Sequence, residues 1–315
     1  MLKRFSYIVI EYATILVIAS IIIGIIFDEL IINYLFPIIP VFVLGMMVSA
    51  GLMIRFEQLK NIQHKQLLTL TSAQYLISTI IGFLIASLFF NIITDEPDLA
   101  LGQVLHGSMP SEQTTPVWIK LANGNLVFGI IMLITSTLVS PFLSPTLTFL
   151  FAGSWVEIDY VSMFIALIIT VLLPILIGSI IRTKISVIEK YDHIYTATST
   201  LSALPTVMIV GALAFTFMLE SLELLPIVII ASLIHFSSTV LLGLIIPKVL
   251  RWSDKDIPVF VYNLSMKEFA VTLGVIASMG LSNEVGIPAS VYGMMHMASA
   301  PLIAKFLKKR IREYN

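Results

Sequence analysis

The sequence predicts an all-α, polytopic membrane protein, from its hydrophobicity, the gaps between its charges and the side on which its cations collect. Of 315 residues, 58% are hydrophobic and 12% charged, about half the roughly 25% charged residues of a soluble domain. The mean hydropathy is +1.00. No Lys, Arg, Asp or Glu falls between Lys65 and Asp95, or between Lys120 and Glu157. Each gap exceeds the ~20 apolar residues that cross a bilayer's hydrocarbon core. A membrane β-barrel would alternate in polarity over segments of about ten residues, and no such pattern is visible. There is no cysteine, which excludes disulfides and thiolate-held metals.

Each span is an apolar run closed by charges, prolines or glycines. The first, near residues 7–27, follows Lys3 and Arg4 without a small-residue cleavage site, so it reads as a retained helix rather than a signal peptide. The others lie near 33–54, 67–93, 100–122, 125–151, 160–181, 195–219, 224–247, 257–280 and 286–305. Ten spans place both termini on one side. On that side fall Lys3, Arg4, Arg55, Lys60, Lys65, Lys120, Arg182, Lys184, Lys190, Lys248, Arg251, Lys255 and the tail cations Lys305, Lys308, Lys309, Arg310 and Arg312. The opposite loops carry Asp28, Glu29, Asp95, Glu96, Asp98, Glu157, Asp159, Glu220, Glu223 and Glu284, with no cation. By the positive-inside rule the termini are cytoplasmic, in a plasma or inner membrane. Lys267 is the exception, because it falls inside the ninth span.

Five spans per half is an odd number, so a duplicated half is inverted relative to the first, as in many secondary transporters. The halves are 1–153 and 154–315. The third span reads "QYLISTIIGFLI" from Gln74 and the eighth "HFSSTVLLGLII" from His235, with Gly82 and Gly243 in matching places. The fourth span contains "GSMPSEQTTPVW", residues 107–118, and the ninth contains "YNLSMKE", residues 262–268. Pro110 and Pro116 each remove a backbone donor, so the first stretch is expected to break or kink its helix. Freed backbone groups at membrane depth need protein or a water-filled cavity around them. Matched interruptions in two halves point to a transporter's binding site.

The chain also resembles the bile acid:sodium symporter family over nearly its whole length. "LANGNLVFGIIMLITSTLVSPFLSPTLTFLFAG", residues 121–153, is similar to that family's fifth helix, and it is the most specific stretch. Pro110 falls at the family's Pro-Gly-Gly-Thr break, Gln74 on a third-helix glutamine, His235 on an eighth-helix histidine and His296 on a last-helix histidine. The resemblance implies a ten-helix fold with a panel of spans 1, 2, 6 and 7 and a core of spans 3, 4, 5, 8, 9 and 10. Spans 4 and 9 would cross at their breaks, and transport would couple an organic anion to sodium. The sodium-site residues depart from the pattern. Where the first site has a Ser-Asn pair, fifth-helix hydroxyls and a ninth-helix glutamate, this chain has Thr115 and Pro116, Gly129 and Leu133, and Asn263. At the second site Gln74 is kept, but Lys267 stands in the place of a glutamine. Sodium is a hard cation that takes oxygen ligands, as calcium and magnesium do, so these changes argue against sodium coupling.

A charge at a helix centre costs about 2.5–3.5 kcal/mol on insertion scales, so such residues are usually paired and functional. Lys267 therefore reads as a tethered cation in the sodium position, with Glu112 as its counter-charge. Asn263 and Lys267, four apart, are expected to share a helical face. Coupling would run through Glu112, Asn263, Lys267 and Gln74, with a proton on Glu112 or Glu268 as the alternative to a residual sodium site at Gln74 and Asn263. Substrate would meet Ser111, Gln113, Thr114, Thr115, Glu268 and His296. Lys267 and the two broken-helix ends would attract a small organic anion. His235 and His296 read as helix–helix hydrogen-bonders, His106 as lining the break, and His64 and His193 as surface residues. Trp118, Trp155 and Glu11 read as interfacial, and the basic tail as an anchor to anionic lipid. No nucleic-acid partner, cofactor or metal centre is expected. An enzyme is disfavoured, since neither a His-Glu-x-x-His motif nor a nucleophile–base pair occurs. The expected function is alternating-access transport; a sodium-coupled symporter is one alternative, and a channel or passive receptor is another.

Overall fold

A computed structural model of the chain describes residues 12–54, 64–185 and 191–313. The readings on Lys3, Arg4, Glu11, Arg55, Lys60 and Lys190, and on the His193 side chain, lie outside the described residues. Regular structure among them is helical, apart from one isolated β-bridge. The helices are α1 (Ala13–Ile26), α2 (Asp28–Gly51), α3 (His64–Ile93), α4 (Pro97–Ser108), α5 (Thr115–Leu121) and α6 (Leu126–Ala152). They continue as α7 (Tyr160–Lys184), α8 (Asp192–Glu220), α9 (Leu225–Val249), α10 (Ile257–Ser265), α11 (Phe269–Met279) and α12 (Ile287–Glu313).

Six helices among the described residues are long and apolar enough to cross a membrane: α2, α3, α6, α7, most of α8, and α9. The sequence reading counted ten spans. The expected fourth and ninth spans are each divided, into α4 and α5 and into α10 and α11, so that no single piece reaches spanning length. Described structure in the first span begins at Tyr12, and α12 runs on into the basic tail.

The prolines act locally as the sequence suggests. Pro110 disfavours helical backbone at Met109, and Met109 is extended (φ −72°, ψ 159°) where α4 ends. Pro116 lies in the first turn of α5, where its missing N–H costs nothing, and it starts a helix rather than breaking one. Pro141, inside α6, frees the carbonyl of Thr137, and the Ser140 hydroxyl takes that carbonyl at 2.8 Å. Asn125 opens α6 by accepting the Phe128 N–H at 3.2 Å, while its own amide donates to Asp256 Oδ1 at 3.0 Å.

Two sets of helices each pack internally and also against one another, α8 on α12, α2 on α11 and α7 on α6. α8 lies along α1 and α2, and α2 along α7; Gly51 and Gly178 let the α2 and α7 backbones approach closely. α4 packs on α3, α6 and α12, and α9 packs on α10 and α12. Gly82 sits where a Cβ would come 3.0 Å from the Gln103 carbonyl of α4, and Gly243 where one would come 2.6 Å from Val261 Cα of α10. The matched glycines therefore do the same job, seating α3 on α4 and α9 on α10.

Candidate functional site

The two interruptions meet. Ser111 and Lys267 form an antiparallel bridge. The Glu112 N–H donates to the Met266 carbonyl at 3.0 Å, and the Glu268 N–H to the Pro110 carbonyl at 3.0 Å. Each break thus supplies the backbone partners that the other lacks. The Ser111 N–H also donates to Ser136 Oγ at 3.2 Å, and its hydroxyl to Asn263 Oδ1 at 2.9 Å. Asn263 donates in turn to the Val259 carbonyl at 2.8 Å.

Extended backbone sends successive side chains to opposite faces. That geometry separates the charges. Lys267, wholly buried, turns into the helix core, where its ammonium donates to the Gln74 carbonyl at 2.8 Å and the Met109 carbonyl at 3.2 Å. It also lies 5.7 Å from the centre of the Tyr75 ring. Gln74 belongs to a widened π turn, Ala73–Ile77, a device common at functional sites. Glu112 and Glu268 are each one residue further on, in the alternate position. The expected pairing of Lys267 with Glu112 is therefore corrected: the ammonium takes two carbonyls, and no ion pair joins it to Glu112 among the described residues. The shared helical face of Asn263 and Lys267 is corrected as well, because α10 ends at Ser265 between them.

Both glutamates lie at the N-terminal ends of α5 and α11, each one residue past the bridged pair. Glu268 Oε2 accepts from the Gln113 N–H at 3.1 Å. Glu112 Oε2 and Glu268 Oε1 have no hydrogen-bond partner, although the residues are only 5% and 1% exposed. Gln113 links this face to the other set of helices. Its amide donates to Met47 Sδ of α2 at 3.2 Å, and its oxygen accepts from Ser199 of α8 at 3.2 Å. Thr114 accepts from the Trp118 indole at 3.2 Å, and the buried Thr115 hydroxyl is unpartnered.

A ring cluster lies behind the crossing. Tyr292 donates to the Ser265 carbonyl at 2.7 Å, and its ring meets His106, His235 and His296 at centroid distances of 4.7, 5.2 and 6.0 Å. His235 behaves as expected, joining helices through Gln103 at 2.8 Å and Ser78 at 3.2 Å. The Gln103 amide is a donor, so His235 Nδ1 accepts and its Nε2–H points to Ser78. His296 does not behave as expected: both its ring nitrogens are unpartnered. His106 bonds Thr272 at 3.2 Å. His64 is exposed.

Sequence reasoning missed Met47, Ser199, Tyr75, Thr272 and Tyr292. Tyr292 was the most legible of these, one helical turn before His296. Met47 and Ser199 gave no signal, because only the packing of distant helices brings them to Gln113.

Known proteins resemble the chain along much of its length. The family described as the Sodium Bile acid symporter family matches residues 39–222, more than half of the chain. A Bacillus subtilis (strain 168) protein named "Uncharacterized sodium-dependent transporter YocS" is 25% identical over 292 residues, covering 87% of this chain and 84% of that one. Two rice (Oryza sativa subsp. japonica) proteins are named "Probable sodium/metabolite cotransporter BASS1, chloroplastic" and "Probable sodium/metabolite cotransporter BASS2, chloroplastic". They are 28% and 31% identical over 138 and 135 residues, 43% and 42% of this chain but about a third of their own lengths. With relatives that are transporters rather than enzymes, and with several helices of spanning length, this multi-pass integral membrane protein belongs to the sodium bile acid symporter family.

Proposed function

We propose that the chain is an alternating-access secondary transporter in which the Lys267 ammonium stands where relatives place a coupling sodium ion, so that transport does not require sodium. The observation that carries this reading is the pair of bonds from Lys267 Nζ to the Gln74 and Met109 carbonyls, 2.8 and 3.2 Å. Carbonyl oxygens are ligands that a sodium ion would take, and a monovalent cation tethered by its own side chain already holds them. Ten spans in two inverted halves, 1–153 and 154–315, fit the reciprocal crossing and the matched seating of Gly82 and Gly243. The panel–core division fits the packing of α8 along α1 and α2, of α2 along α7, and of α9 on α10 and α12. The distribution of cations supports a cytoplasmic position for both termini.

A sodium-coupled reading has one observation in its favour. The buried Gln74 side chain has neither its oxygen nor its nitrogen hydrogen-bonded, and the names of the relatives carry sodium. The two readings separate by thermal stability of the purified protein in sodium against choline, for wild type and Lys267→Gln. A ligand that binds only the folded form adds RT ln(1 + [L]/Kd), about 2.7 kcal/mol at a hundredfold excess over Kd. Indifference of the wild type to sodium, with a sodium-dependent rise in Lys267→Gln, is expected. Sodium stabilising the wild type sinks the tethered-cation reading.

A further inference from the structure

We propose that the crossing takes a small organic cation, whose ammonium or guanidinium group is held between Glu112 and Glu268. This rests on the transporter reading above and replaces the anion that the sequence suggested with the opposite charge.

The first ground is the unmet demand of two buried carboxylates. Glu112 Oε2 and Glu268 Oε1 are unpartnered at 5% and 1% residue exposure. Glu268 has one partner, the Gln113 N–H on its other oxygen, so each side chain keeps one acceptor out of water and unmet, and a second carboxylate nearby adds repulsion. A bound cation meets both demands at once. Lys267, next to Glu268 in sequence, does not supply it, because the bridge turns its side chain to the opposite face and two carbonyls hold it there.

The second ground concerns where an anion would bind. The N-terminus of α11 is a positive end that attracts anionic groups. Glu268 immediately precedes α11, and the Gln113 N–H is already donated to it. The protein's own carboxylate stands where a substrate carboxylate would dock.

The third ground is access and ligand type. The pair adjoins Gln113, which is only partly buried and lies against Met47 of α2 and Ser199 of α8. The face therefore adjoins the seam between the two helix sets, two residues in sequence from Thr115, whose buried hydroxyl is unpartnered. No group of three or more His, Cys, Asp or Glu suited to a metal ion occurs among the described residues. Two free carboxylate oxygens suit N–H donors, and charge-assisted hydrogen bonds of this kind are the strong ones.

The test uses matched probes on the whole purified protein in a potassium chloride background: n-butylammonium, which donates N–H bonds, and butyrate, which bears the opposite charge. Butylammonium is expected to raise the melting temperature in a saturable way while butyrate does not. Glu268→Gln and Glu112→Gln are each expected to weaken butylammonium binding about tenfold or more. Stabilisation by butyrate equal to or above that by butylammonium overturns the proposal, as does the absence of any butylammonium effect. If either variant fails to fold, the wild-type comparison still decides. Counterflow of labelled probe in proteoliposomes separates the two readings. Butylammonium binding without counterflow leaves the cation site and sinks transport, whereas counterflow of butyrate but not butylammonium leaves transport and sinks the cation site.

Discussion

At the scale of the residue, the crossing depends on a few side chains whose partners are backbone atoms. Lys267 satisfies two carbonyls in a segment where helix bonds are missing. Lys267→Met keeps the apolar stem and removes the donor. It is expected to lower stability by about 1–3 kcal/mol, the usual cost of leaving buried acceptors unpaired, measured as a shift in detergent-solubilised thermal unfolding. Stability unchanged within error would mean that water replaces the ammonium. The sequence made Lys267 conspicuous because a lone cation within an apolar span is costly. Its partners were not legible. A lysine followed by a glutamate, with another glutamate across the crossing, suggests an ion pair, but which face each side chain takes depends on extended backbone at Met266 and Lys267. No composition or periodicity encodes that extension, since the ninth span has no proline at its break.

At the scale of the element, helix ends are controlled by identifiable groups. Asn125 caps α6 and holds Asp256 at the start of α10, so Asn125→Ala is expected to cost about 1 kcal/mol as a lost cap. Burial raises the Asp256 carboxyl above its ordinary value, and the hydrogen bond from Asn125 opposes that rise. A raised folded-state value means the contribution to stability is full below the unfolded value and is lost as pH rises through the folded one. Asn125→Ala removes the opposing bond, so a stability–pH profile of the variant is expected to fall at higher pH than that of wild type. Gly243 is a packing constraint: Gly243→Ala drives a Cβ to 2.6 Å from Val261 Cα and is expected to destabilise by about 1–3 kcal/mol through overpacking. The glycine was legible as a match to Gly82, and the break at Pro110 as a proline in an apolar run. Pro116 was read as a second breaker, and it turned out to be an N-terminal proline, for which a residue type alone gives no warning.

At the scale of the molecule, one set of helices (α1, α2, α7, α8) meets the crossing through Gln113, by way of Met47 and Ser199. If solute movement needs these sets to slide, a link across that seam stops it. The chain has no cysteine, so Met47→Cys with Gln113→Cys can be joined by a short bifunctional reagent without background reaction. The joined protein is expected to lose counterflow and regain it on cleavage of the link; full counterflow while joined would contradict alternating access at this seam. The class of protein was legible from charge-poor stretches and cation placement, because a bilayer imposes those on any sequence that crosses it. The seam was not, since contacts between helices far apart in the chain leave no local pattern. The central claim is that the chain fills the cation place with its own lysine. Equilibrium dialysis of purified protein against radiolabelled sodium tests it most directly, with wild type beside Lys267→Gln. The expected result is no saturable sodium binding to wild type and saturable binding to Lys267→Gln; stoichiometric sodium on the wild type would contradict it.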